Sequence, residues 1–104
     1  MKEITKKLIN TYTDPKKILE TLTDSDEIKI TEFYLGLDQY SITDLIKMLD
    51  NSDLDEKTLI LTAIIDKITD VDDPETLSVK DLVSKNPEYS KLLSEIYNLT
   101  DQSN

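Results

Sequence analysis

The chain has 104 residues and a net charge of −10, because 22 Asp and Glu residues face only 12 basic residues, all of them lysine. It contains no Arg, His, Cys or Trp and a single glycine, Gly36. Because those residue types supply most metal ligands, catalytic nucleophiles and phosphate contacts, the composition argues against an enzyme, a bound metal or cofactor, and direct binding of nucleic acid.

The apolar residues predict one all-α domain, a compact bundle of about five or six short helices over residues 1–100, with 101–104 as a frayed tail. They make up 38% of the chain and recur at helical spacing, and a chain of this length can form a single core without disulfides. No stretch approaches the roughly 18 apolar residues of a membrane span, and the N-terminus lacks the pattern of a secretory signal. We therefore expect a cytoplasmic protein that does not insert into membranes.

The first half of the chain predicts three helices. The first covers residues 2–12, and the second begins where Asp14 can cap a helix and Pro15 suits its first position. A third is expected over residues 26–38, after capping residues at 24–26. Residues 28–30 also alternate and include two β-branched side chains, so 28–37 can be read as helix or as partly extended.

The middle of the chain predicts the central helix. A fourth helix starts after Ser41, with Asp44 three residues on, as in a capping box. The polar residues 50–53 then cap a fifth helix over residues 54–69. That segment is apolar over an unusually wide arc, so it should lie at the centre of the bundle. It leaves only a polar strip of Asp55, Thr58, Thr62, Asp66 and Thr69.

The last third carries two proline signals. Residues 72–74 end the central helix and predict one helical turn, after which Ser78 is expected to cap a short helix. Asn86 and Pro87 predict the start of a final helix over residues 87–99. Tyr89 and Tyr97 lie on its apolar face, so both are expected in the core.

The acid-rich stretches do not form a recognisable ion site. Residues 24–27, 50–56 and 70–75 lack the glycine and the alternating ligands of a calcium loop. All three lie at predicted helix starts, where aspartate satisfies free backbone donors, so capping is the preferred interpretation. The chain also lacks the Ser-x-x-Lys and Gly-x-Ser-x-Gly patterns of serine nucleophiles.

The charge is concentrated in the middle of the chain. Residues 24–75 hold fifteen acids and four lysines, a net charge of −11, whereas residues 1–23 carry +2 and residues 76–104 carry −1. A helical surface with spaced carboxylates can occupy a basic groove that normally holds nucleic acid, as in nucleic-acid-mimic inhibitors and immunity or anti-defence proteins. The other interpretation of the same charge is solubility alone.

The leading hypothesis is a non-catalytic domain that binds and inhibits a partner protein with a basic or nucleic-acid-binding surface. Tyr40 joins the acids as a contact candidate because it lies between two helices and tyrosine is enriched in binding hot spots. The alternative is a structural or regulatory module, such as a homodimer or adaptor, that associates through an apolar helix face. The predicted contact residues are Asp38, Tyr40, Asp44, Asp50, Asp53, Asp55, Glu56 and Asp66.

Overall fold

The computed structural model describes residues 1–10, 13–68 and 72–101, with the backbone alone at residue 101. These ranges contain seven α-helices, two 3-10 turns and no strand, which confirms the all-α single domain. The helices are α1 (Glu3–Ile9), α2 (Pro15–Thr21), α3 (Ser25–Gly36), α4 (Ile42–Met48), α5 (Leu54–Lys67), α6 (Pro74–Lys85) and α7 (Pro87–Asp101). The first 3-10 turn (Leu37–Gln39) extends α3, and the second (Leu49–Asn51) extends α4. Residues 28–37 are thus helical.

Side-chain caps start α2, α3, α4 and α5 where the sequence predicts them. The Asp14 carboxylate accepts from the Lys16 backbone N–H, and Asp24 performs the same role for α3. The Ser41 hydroxyl oxygen accepts from the Asp44 N–H at 3.2 Å. These bonds satisfy backbone donors that have no partner within the helix.

Helix α6 differs from the prediction of one turn followed by a short helix capped at Ser78. It is continuous over Pro74–Lys85, and Asp73 caps it by accepting from the Glu75 N–H at 2.8 Å. Ser78 lies inside the helix, where its hydroxyl donates to the Pro74 carbonyl oxygen at 3.1 Å. Because Asp73 and Pro74 already provide a complete start signal, the second cap is not needed. The described residues contain seven α-helices, against the five or six expected for the bundle.

Helix α5 is the central helix, in contact with α1, α3, α4 and α7. The expected polar strip along it is wrong at Thr58 and Thr62, which are 0% and 6% exposed. Their hydroxyls donate to the carbonyl oxygens of Leu54 and Thr58 at 2.8 Å each, so the polar atoms are satisfied within the helix and the methyl groups face the core. Residues 58–64 are all buried. Only the two ends of α5 present charge.

Helices α4 and α5 form an antiparallel hairpin that positions the candidate site. The second 3-10 turn leads into the start of α5, while the first lies beside its end, where the Lys67 Nζ donates to the Asp38 carbonyl oxygen at 3.1 Å. At the other extreme of the chain, α7 continues to residue 101, two residues beyond its predicted end. Some predictions fall outside the described ranges. They concern the frayed residues 102–104, Thr69 of the polar strip and Tyr12 of the first helix. None of the described helices is both long and apolar enough to cross a bilayer.

Candidate protein-binding site

Five of the eight predicted contact residues lie at the two ends of α5. Asp55 lies in its first turn and Asp66 next to its last residue, eleven positions later. At 1.5 Å per residue, that spacing separates the two along the helix axis by about 16 Å. Asp53 and Glu56 belong to the first end, and Asp38 belongs to the second through the Lys67 hydrogen bond. Asp44 and Asp50 lie on the α4 side of the hairpin.

The acids at the start of α5 are engaged in the fold. Asp53 and Glu56 form a complete capping box, in which each carboxylate accepts from the other residue's backbone N–H at 2.9 and 3.0 Å. The Asp55 carboxylate accepts from the Lys2 N–H at 2.8 Å and thereby ties the chain's first residues to the central helix. One oxygen of each carboxylate is already occupied, so a partner would have to compete with a backbone donor for that oxygen.

Glu75 is a further acid that holds the fold together. One oxygen accepts from both the backbone N–H and the hydroxyl of Thr43, at 3.1 and 3.0 Å, which joins the start of α4 to α6. Sequence reasoning missed this contact because the two residues are 32 positions apart. In residues 24–75, the carboxylates that accept such hydrogen bonds include Asp24, Asp53, Asp55, Glu56, Asp73 and Glu75.

Four of the predicted contact residues have free carboxylates. Asp38, Asp44, Asp50 and Asp66 are exposed, and their side chains form no hydrogen bond or ion pair in the ranges that the structure describes. Tyr40 lies between Asp38 and Asp44 in the chain and is 37% exposed. In the described ranges, the same lack of a partner extends to three acids of α3 that were not predicted as contact residues: Asp26, Glu27 and Glu32.

The ion pairs seen among the described residues involve acids outside residues 24–75. Within the described ranges, the three pairs join Lys6 to Glu3, Lys57 to Glu88, and Lys85 to Asp81, at 3.4, 3.4 and 2.9 Å. All three acids lie outside residues 24–75. Even Lys57, which belongs to that segment, pairs with an acid of α7. These three pairs therefore leave the acids of residues 24–68 and 73–75 without a neutralising ion pair.

A cleft of about 590 Å³ opens at the end of α5 that carries Asp66. The last turns of α1, α3, α5 and α7 and the start of α2 surround it. Leu8, Ile9, Ala63, Ile65 and Ile96 form its apolar wall, while Tyr34, Asp38 and Asp66 supply polar groups. Tyr97 also lines it and is 53% exposed, so its expected place in the core is wrong, whereas Tyr89 is buried as predicted. A small apolar cleft with a few convergent polar groups is typical of binding sites.

The electrostatics of the cleft reflect crowded negative charge. Burial, followed by the nearby carboxylates of Asp66 and Asp38, raises the pKa of Tyr34 to about 12, so its phenol is neutral at physiological pH. Burial and then the Asp38 carboxylate also raise the pKa of Asp66 above its ordinary value. Lys67 borders the cleft, but its ammonium donates to a backbone carbonyl and pairs with neither carboxylate. This arrangement favours binding of a cation.

In the described parts of the chain, no three acidic side chains are grouped as metal ligands would be. The cleft offers two carboxylates and a neutral phenol, which can accept or donate hydrogen bonds to a bound group. No protein-family model, curated protein or solved structure matches the chain, so the case for a function depends on these residues alone.

Proposed function

We propose that this protein is a non-catalytic, cytoplasmic binding domain that covers a basic, nucleic-acid-binding surface of a partner protein and thereby inhibits it. The observation that carries this proposal is a set of four exposed carboxylates that have no partner among the described residues: Asp38, Asp44, Asp50 and Asp66. Unpaired like charges repel one another and destabilise the folded state, and a complementary basic surface would remove that repulsion.

The free carboxylates are held by rigid parts of the fold. Three of them adjoin leucines that are almost completely buried: Leu37 beside Asp38, Leu45 beside Asp44, and Leu49 beside Asp50, each at most 1% exposed. The backbone at these acids is therefore fixed by the core. Charges held in place before binding lose less conformational freedom on association than charges on mobile loops, which favours recognition of a spaced set of basic groups.

The absence of His and Cys supports a non-catalytic role, because these residues perform most acid–base and nucleophilic chemistry near neutral pH. The lack of cysteine also fits a reducing compartment, which is why the proposal includes a cytoplasmic location.

The test is capture of partners from the lysate of the native cell by two variants of equal charge. The first carries Asp38→Asn, Asp44→Asn, Asp50→Asn and Asp66→Asn. The control carries Glu3→Gln, Glu20→Gln, Asp81→Asn and Glu95→Gln, all outside residues 24–75. We expect a protein that the wild type and the control both retain and the first variant loses, and retention should weaken at high salt.

The captured partner must then be inhibited by this protein. Wild-type protein should displace DNA or RNA from that partner in a competition assay, and the first variant should not. Equal capture by both variants would refute the assignment of the contact surface. Capture without displacement would refute the inhibitory mechanism.

The alternative, association through an apolar helix face, has less support. The exposed large apolar side chains of the described ranges, Tyr40, Leu54, Leu77 and Tyr97, lie in different elements of the fold. Single exposed apolar residues are normal on monomeric proteins, whereas an interface needs a contiguous patch. Light scattering tests the homodimer form of this alternative, because a homodimer joined through an apolar face would keep its mass at high salt.

A further inference from the structure

The cleft at the end of α5 combines an apolar wall with charge at one side. Its apolar residues come from α1, α5 and α7, while Asp38 and Asp66 approach from the turn after α3 and from α5. A volume of about 590 Å³ is within the range of pockets that bury a small ligand or a long side chain. The cleft therefore suits a group with an apolar stem and a polar head.

Helix ends add to the negative character of this cleft. The C-terminal turns of α3, α5 and α7 all border it. The last carbonyl groups of a helix lack hydrogen-bond partners within it and carry a partial negative charge of roughly half an elementary charge. Lys67 already shows the preference, because its ammonium donates to the Asp38 carbonyl oxygen at 3.1 Å. A cationic head would meet both carboxylates and carbonyl ends here.

The charged side chains that line the cleft form no ion pairs with one another in the described ranges. They are Asp14, Asp38, Asp66, Lys16 and Lys67. Asp14 is occupied by the backbone N–H of Lys16, and neither lysine forms an ion pair in the described ranges. The carboxylates of Asp38 and Asp66 thus repel each other without a cation between them. The exposed ring of Tyr97 offers a further attraction to a cation at the cleft.

We propose that this cleft receives the side chain of an arginine or lysine of the partner, with its cationic head between Asp38 and Asp66 and its apolar stem along Ile65 and the ring of Tyr97. The identity of the occupant as a partner's side chain rests on the function proposed above. A basic side chain buried in such a cleft would be a central contact of the complex, since arginine is enriched in binding hot spots.

The direct test is an NMR titration of the isolated protein with small probes. The probes are N-acetyl-arginine methylamide, its lysine counterpart and the uncharged citrulline counterpart. We expect the two cationic probes to shift amide signals of residues 34–38, 62–67 and 96–100, with an affinity on the order of millimolar. The citrulline probe, which has nearly the same shape, should bind at least tenfold more weakly. The stronger of the two cationic probes identifies the preferred residue.

Paired variants assign the binding to the two carboxylates. Asp38→Asn with Asp66→Asn should weaken both cationic probes at least tenfold, whereas Glu20→Gln with Asp81→Asn, an equal change in charge, should leave them unchanged. Equal binding of citrulline, shifts spread outside the cleft, or no shifts at all would overturn the proposal. The titrations of the wild-type protein with the three probes do not depend on how well any variant folds.

Capture from the lysate separates this proposal from the broader function. If the cleft variant, Asp38→Asn with Asp66→Asn, loses the partner that the wild type retains, the cleft is a main contact. If the cleft variant keeps the partner while the variant with all four Asp→Asn changes loses it, the acidic surface is functional and the cleft proposal is wrong. If the variant with all four Asp→Asn changes and its control are captured equally, the assignment of the contact surface fails, whatever the probes show.

Discussion

Removal of the cap at the start of α5 tests whether the acids of this protein divide into structural and free groups. Asp53→Ala deletes the carboxylate that accepts from the Glu56 N–H at 2.9 Å and leaves Glu56 to cap alone. Loss of a helix N-cap costs about 1 kcal/mol, within a range of roughly 0.5–2. The central helix contacts four others, so its loss of stability should appear in the global unfolding transition.

Urea unfolding followed by circular dichroism at 222 nm measures this cost. The matched variant is Asp50→Asn, which neutralises a free exposed acid just before the same helix and should change the free energy of unfolding by less than about 0.5 kcal/mol. Asp53→Ala should also lower the melting temperature by about 4–8 °C for each kcal/mol lost. If the two variants unfold at the same urea concentration, the division between structural and free carboxylates is wrong.

Two further predictions concern buried polar groups. The Thr5 hydroxyl is buried and has no hydrogen-bond partner among the described residues, so Thr5→Val should be neutral or stabilise the protein by up to about 1 kcal/mol. Thr62→Val, which loses a 2.8 Å bond, should cost about 1 kcal/mol in the same urea experiment. The raised pKa of Asp66 means that the folded state binds its proton more tightly than the unfolded state, so its contribution to stability falls as pH rises from its ordinary pKa of 3.8 through the folded value. Asp66→Asn should therefore stabilise the protein at pH 7, and the gain should vanish in melts well below pH 3.8; a constant gain at all pH values would contradict this linkage.

Local signals in the sequence predicted most of the fold. Caps such as Asp14 and Ser41 act within three residues of themselves, so their pattern can be recognised without tertiary information. The start of α6 was harder to predict, because Asp73 and Ser78 are both valid caps. The structure shows one continuous helix, which Asp73 caps. Thr58 was misjudged because a threonine that bonds to the carbonyl four residues earlier hides its hydroxyl and behaves as an apolar residue.

The site depends more on distant contacts than the fold does. Sequence identified the acid-rich segment but could not separate occupied carboxylates from free ones. Asp55 is occupied by the Lys2 N–H, 53 positions away, and Glu75 by Thr43, 32 positions away. Tyr97 satisfies the helical apolar pattern, yet it borders a cleft, because the neighbours that leave that cleft open come from four other helices. Such pairings arise only when the helices pack.

The positions of the free acids bear on whether their charge serves binding or only solubility. Asp38 and Asp50 lie in the turns that extend the C-terminal ends of α3 and α4, and Asp66 lies in the last turn of α5. A carboxylate at a helix C-terminus faces partial negative charge and is disfavoured, by an amount comparable to the roughly 0.3–1 kcal/mol that a favourable charge gains there. Negative charge needed only for solubility could be carried at helix N-termini, where it stabilises the fold, as Asp24 and Asp53 do. Asp44 lies in the first turn of α4, where its charge is favoured, but the three acids at helix C-termini support the proposed cationic partner over solubility alone.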